Sequence, residues 1–462
     1  MKTAYRTLSA FTLLFLASGT ISLRSQDWPQ FRGPNRDAKA AGFTAPKTWP
    51  KELTQKWKVT VGDGVSTPSL VGDKLYVFSR QGGSEILRCL SAADGKELWQ
   101  EKYDALGANG PAGGFSGPRA SPTVADGKVV TFGLRGVLSS HDAATGKLLW
   151  RKDDFPGALP RFFTSASPIV TGGLCIAQVG GDGKGGIVAY DLTTGEEKWR
   201  WTGDSPAYAS PVLMTSGDAQ LIVAETEGKI VALTVADGKL VWEIPFAVQR
   251  MGYNAATPVV DGQTLIYSGS SRGTTAVQLE KTGDGYAAKS LWKNDAISVQ
   301  FASPVLKQGF LYGLTGSNEL FCINASDGKT AWTAPVSAPA PGTPPAPPAE
   351  SGPRPPEAGP DPGRFDRPPG GPGGGPGGGP GGGRGMRGGG GRGGYGSVVD
   401  AGPVLFALTP ASQLIAFSPG GSAYTEIARI KVSDTPTQAY PVVSGSRIFI
   451  KDQDTVTLWT FE

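Results

Sequence analysis

Histidine is almost missing from this chain: its 462 residues contain one, His141. A single imidazole excludes a catalytic triad and a histidine-rich metal site in their usual forms. Cysteine is scarce too, with Cys89, Cys175 and Cys322 far apart and no adjacent pair. Cys89 and Cys322 stand at the same distance before Trp99 and Trp332, which gives them one strand position in two separated repeats. All three are expected to be small buried hydrophobes, without a disulfide or metal role. Charge of one sign is also lacking: 44 Lys and Arg mix with 40 Asp and Glu for a net charge of +4. That balance provides no basic stripe, so nucleic acid is not an expected partner.

Long apolar runs are absent as well. The run around Phe11 to Ala17 is too short to span a bilayer comfortably, and no later one is longer. With Lys2 and Arg6 ahead of it, residues 1–25 read as a secretory signal peptide. No cysteine stands beside this run to carry a lipid anchor. The mature chain is therefore expected to be periplasmic or secreted.

What the chain has in plenty is glycine, 68 residues, and proline, 38. Much of it punctuates a repeat. Ala93-Asp94-Gly95-Lys96-Glu97-Leu98-Trp99 returns as Ala144-Thr145-Gly146-Lys147-Leu148-Leu149-Trp150, and shorter copies end at Trp199, Trp242 and Trp332, with a looser one at Trp292. The spacing of roughly 40–50 residues is that of a stacked or radial repeat built from short strands. Asp-Gly or Thr-Gly between two strand-like runs supplies the positive φ of a tight hairpin. The second strand of that hairpin is expected to end in the tryptophan.

The other half of each repeat opens on a small hydroxyl residue and proline: Thr67-Pro68, Ser121-Pro122, Ser167-Pro168, Ser210-Pro211, Thr257-Pro258 and Ser303-Pro304. Proline donates nothing to a ladder and holds its predecessor extended, so it marks the start of an edge strand. Weaker openings lie at Pro403 and Pro441. Two hairpins per repeat make a four-stranded antiparallel blade, and eight openings predict an all-β, eight-bladed β-propeller. The last repeat is one strand short, and residues 53–59, with Trp57, are expected to complete it and close the ring. Trp57, Trp99, Trp150, Trp199, Trp242, Trp292 and Trp332 are read as structural, each packing on a neighbouring blade.

The chain thus divides into a signal (1–25), a lead segment (26–52), blades 1–6 (53–335), a Pro/Gly-rich insertion expected to be disordered (336–397), and blades 7–8 (398–462). Arginines among the glycines of the insertion are expected to be solvated. The lead segment, Trp28-Pro29-Gln30-Phe31-Arg32-Gly33-Pro34, is expected to lie across one face of the ring.

These repeats, with their Ser-Pro openings, resemble the pyrroloquinoline quinone (PQQ)-like propeller repeat superfamily, and the lead segment is similar to the amino-terminal motif of its exported bacterial members. The resemblance implies either quinone-dependent alcohol and sugar dehydrogenases or scaffold proteins such as the propeller subunit of the outer-membrane β-barrel assembly machinery. The alcohol dehydrogenases of the group typically carry adjacent cysteines, carboxylate and amide ligands to calcium, and an aspartate base. This chain has no Cys-Cys pair and no segment matching the others, so no catalytic or metal residue is carried over. PQQ remains the one cofactor the resemblance admits. His141, after Ser139-Ser140, is expected at a solvated turn.

Residues just ahead of each inner strand face the mouth of the central channel, where propellers bind ligands. They are Arg119, Arg161, Phe163, Tyr208, Arg250, Tyr253, Gln300, Phe301 and Tyr440, accompanied by Phe115, Phe162, Asn254 and Gln438. Aromatic rings with arginines and amides suit a planar or anionic ligand. The expected function is a monomeric, non-enzymatic binding or assembly scaffold of the bacterial cell envelope, with envelope proteins or a small mouth ligand as partners. The alternatives are a PQQ-dependent oxidoreductase with a degenerate site and a carbohydrate or surface-polymer binder.

Overall fold

The computed structural model describes residues 27–248, 253–283, 285–337 and 395–461. The signal peptide reading and all but the ends of the insertion fall outside them. Construction starts at the repeated turn. Gly95, Gly146, Gly195, Gly238 and Gly328 all adopt φ between 68° and 76°, the left-handed region that glycine enters without steric cost. Each turn joins the third and fourth strands of a blade, and one irregularity recurs just after it. Cys89 lies opposite Trp99 while Leu90 lies opposite Glu97, so Leu98 is an extra residue in the outer strand. The same bulge precedes Trp150, Trp199, Trp242, Trp292 and Trp332. A bulge bends its strand and increases the local twist, and here it re-aims the following tryptophan.

The ring carries these tryptophans into the seams between blades. A Cβ on Gly95 would lie 2.9 Å from the Trp57 ring, and one on Gly195 would lie 2.7 Å from that of Trp150. Trp99, Trp199 and Trp292 cover Gly146, Gly238 and Gly328 in the same way. The indole N–H groups of Trp57, Trp150, Trp199, Trp292 and Trp332 donate to carbonyls of Ala92, Leu192, Val235, Ala325 and Gly420 at 2.8–3.2 Å. Tryptophan therefore stands near the start of most outer strands, correcting the expectation that it ends them: in blade 1 it is the third residue of Glu97–Asp104.

Eight four-stranded antiparallel sheets make up the propeller. Blade 1 consists of Ser69–Val71, Lys74–Gln81, Ser84–Ser91 and Glu97–Asp104 from the axis outward. Blades 2 to 6 repeat the plan over 123–152, 169–201, 212–245, 259–294 and 305–335. Blade 7 departs from expectation: its inner strand is Ser397–Asp400, and Leu405–Leu408 is its second. Pro403 sits in the turn between them, where Gly402 takes a φ of 80° and its N–H bonds the Asp400 carboxylate. Blade 8 combines Val442–Ser444, Arg447–Lys451 and Thr455–Thr460 with Thr54–Thr60, which pairs antiparallel to Thr455–Thr460.

Cys89, Cys175 and Cys322 are free and buried, and desolvation pushes their thiols up to about 11, 12 and 11. His141 corrects the solvated-turn expectation. It lies within the third strand of blade 2, 1% exposed, and its Nε2 is 3.2 Å from Glu101 on the outer strand of blade 1. Arg151 meets the same carboxylate, so the imidazole belongs to the seam between blades 1 and 2.

Candidate functional site

The lead segment enters the axis of the ring and does not merely cross one face. Trp28 exchanges backbone bonds with Leu70 on the inner strand of blade 1, and Val124 of blade 2 donates to Pro29. Left-handed backbone at Arg32, Gly33, Arg36 and Ala38 (φ 59°, 81°, 57° and 57°) then coils the chain tightly. Two arginines project from that coil. Arg36 donates to the carbonyls of Ser167, Pro168 and Pro211, in blades 3 and 4, and Arg32 to that of Pro304 in blade 6. Both side chains are buried without an ion pair among the described residues, and desolvation lowers the Arg36 guanidinium to about 9. Inner-strand carbonyls that face the axis have no ladder partner, so a multidentate donor is what the channel core calls for. Ala38 and Ala40 pair with Asp400 of blade 7 on the way out.

Above this plug runs a relay of hydroxyls. The N–H of Thr67 donates to Ser121 Oγ, that of Ser121 to Ser167 Oγ, and so on through Ser210, Thr257 and Ser303, at 2.8–3.1 Å. Tyr440 N–H feeds the series by donating to Thr67 Oγ1. The Ser/Thr-Pro opening is thus a joint between blades as well as a strand start.

A cavity of about 270 Å3 opens over the relay. Arg119, Tyr208, Tyr253, Phe301 and Tyr440, all expected at the mouth, line it together with Phe115 and Phe162. Tyr253, Phe301 and Tyr395 form a stack, with centroids 5.2 and 4.1 Å apart and rings within 12° of parallel. Gln300 stands behind, its amide bonding the Tyr253 hydroxyl. Arg161 lies over the Phe162 ring and lines the adjoining cleft. Phe163 is not brought in: its φ of 66° turns it into the interior, with the Arg135 guanidinium 5.3 Å from its ring. Arg250 lies outside the described residues.

Sequence reasoning missed Phe31 as floor, Tyr395 as a wall, and the hydroxyls of Thr67, Ser121, Ser210 and Thr257. The hydroxyl signal was in plain view in every Ser/Thr-Pro. Tyr395 gave none, since it closes a glycine-rich run far from the other mouth residues in sequence.

Arg119 donates to the Phe162 carbonyl, and burial lowers its guanidinium pKa. Among the described residues no Asp or Glu lines the cavity, and Arg119 is the one cationic lining residue. PQQ is a planar polycarboxylate held with a calcium ion in the enzymes that use it. A wall without carboxylates offers calcium no hard anionic ligand, and one guanidinium does not balance several carboxylates. The residues present do not fit that pair.

Comparison with known proteins follows the same division. Outer membrane protein assembly factor BamB of Yersinia pestis is 25% identical over 307 residues, 61% of this chain and 70% of that protein. The crystal structure of BamB from Moraxella catarrhalis superposes with a TM-score of 0.56 at 15% identity, covering 89% of this chain and 98% of that one. The quinohemoprotein alcohol dehydrogenase of Comamonas testosteroni shares the fold, with a TM-score of 0.60 at 14% identity over 95% of this chain and 81% of that one. The family described as outer membrane protein assembly factor BamB matches residues 82–334, more than half of the chain, and to that family of PQQ-type propellers this chain belongs.

Proposed function

We propose that this chain is a non-enzymatic binding or assembly scaffold of the bacterial cell envelope, exported by its first residues and working beside envelope proteins. One observation carries the reading: the axis is filled by the chain itself, with Arg32 and Arg36 bonded to carbonyls just ahead of the inner strands of three blades. A ring riveted at its hub is a rigid body suited to holding partners on its surfaces. Its relatives' name, assembly factor for outer membrane proteins, supplies the class of partner. Among the described residues no helix is long and apolar enough to cross a membrane.

The test has two arms. Loss of the gene should lower the amount of heat-modifiable, folded β-barrel protein in the outer membrane, and the wild-type chain should restore it. Purified protein with PQQ and calcium should reduce no electron-accepting dye when given alcohols or sugars. Unchanged barrel levels together with quinone-dependent dye reduction would replace the scaffold by the oxidoreductase.

A further inference from the structure

Six of the nine hydroxyls that line the mouth cavity share one property, whereas Ser165 and Tyr440 give their protons to the carbonyls of Tyr208 and Ser303. A hydroxyl has one proton to give and two lone pairs to receive with. The oxygens of Ser121, Ser210 and Thr257 each accept a neighbouring backbone N–H, and Thr67 Oγ1 accepts that of Tyr440. Tyr208 accepts the N–H of Phe162 at 3.0 Å, and Tyr253 accepts the Gln300 amide. Each of these six oxygens therefore has one lone pair engaged, and none gives its proton to a partner among the described residues. They face the cavity's occupant as donors, next to the Arg119 guanidinium.

Such a lining calls for acceptor oxygens and negative charge. Its walls call for a flat apolar ring, because the Tyr253, Phe301 and Tyr395 stack and the Phe115 and Phe162 rings present π-faces and edges. The volume of about 270 Å3 exceeds the roughly 150 Å3 that holds benzene in a closed cavity, leaving room for one ring and its substituents. We propose that the channel mouth binds a single-ring aromatic carboxylate, its ring against Phe301 and its carboxylate on Arg119 and the hydroxyls. The single cation among the described lining residues matches a single carboxylate. The proposal stands apart from the scaffold reading, since the lining has this character whatever the outer surfaces hold.

This ligand chemistry has two sources, a free aromatic acid and the carboxyl-terminal aromatic residue of a polypeptide. Calorimetric titration of the mature chain with 4-hydroxyphenylacetate, N-acetylphenylalanine and N-acetylphenylalaninamide separates them. At least one acid should saturate, with the amide at least about tenfold weaker, equivalent to about 1.4 kcal/mol. Saturation by N-acetylphenylalanine alone would assign a chain terminus, and saturation by 4-hydroxyphenylacetate alone a free acid. Arg119→Gln should remove the preference for acid over amide. Phe301→Leu, which leaves the Arg119 bond to Phe162 in place, should weaken every bound ligand about tenfold. Equal affinity for acid and amide, glucose binding more tightly than either acid, or no saturation by any probe at about 10 mM would overturn the proposal.

Discussion

At the scale of single residues, the seams are fixed by what glycine lacks. Gly195 has a φ of 72°, and a Cβ there would press on the Trp150 ring at 2.7 Å. Gly195→Ala should cost about 2–3 kcal/mol, from left-handed strain and overpacking together, read as a lower urea midpoint at unchanged slope. Glu225 is a different case. It is fully buried, neither carboxyl oxygen has a hydrogen-bond partner among the described residues, and desolvation raises its pKa well above 4.5 despite Arg272. The folded state thus keeps this proton after the unfolded chain has lost it. Stability from the neutral form is complete below about pH 4.5 and declines as pH rises toward the folded pKa. Glu225→Gln should abolish that decline, so melting temperatures of the two proteins should diverge as pH is raised from 4.5 to 8. The Asp-Gly and Thr-Gly chemistry of the turns was legible in the sequence, because local φ decides it. The solitude of Glu225 was not, because a strand residue in an alternating run gives no sign of what faces it across a seam.

At the scale of elements, each seam has its tryptophan except where the outer strand of blade 7 places Ala428 opposite Ala416, at the matching bulge. The lead segment fills in. Phe43 and Trp49 pack edge-on against Phe406 of blade 7 and Phe461 at the end of blade 8. Phe43 is buried, and Phe43→Ala should cost about 3–5 kcal/mol, with hydrogen exchange accelerating first in the strands of blades 7 and 8. The repeat period announced eight blades, since hairpins and their turn residues are local. It misplaced the inner strand of blade 7 because Ser397–Asp400 opens without a proline, and Pro403 imitated the missing mark. Of the mouth, the residues just ahead of inner strands were readable from position. Phe31 and Tyr395 were not, because their places depend on where two long connections come to rest.

At the scale of the whole molecule, one short segment touches most of the ring. Arg36 bonds carbonyls of blades 3 and 4 while its neighbours bond blades 1, 2 and 7. Arg36→Met keeps the bulk and removes the donors, leaving the Ser167 and Pro211 carbonyls unpaired among the described residues while Pro168 keeps its bond from Thr123, and should cost about 1–3 kcal/mol for each unpaired carbonyl that water does not reach. The loss should appear as a lower thermal midpoint and faster exchange of the inner strands in blades 3 and 4, with blade 5 little changed. Retention of the wild-type midpoint would mean that the hub is not what binds the blades together.

The hydroxyl relay has a direction and a gap. It runs from blade 8 through blade 6 and takes no member from blade 7, where Lys307 and Asp400, both nearly buried, join at 2.7 Å to hold blades 6 and 7 instead. The Pro/Gly-rich stretch begins and ends at that joint, between Val336 and Ser397. A circuit already open at one point can receive extra chain there without breaking any of its links. The gap is therefore the place where the gene was free to grow, and a foreign domain spliced between residues 337 and 395 should leave the ring, its hub and its mouth to fold as they do now.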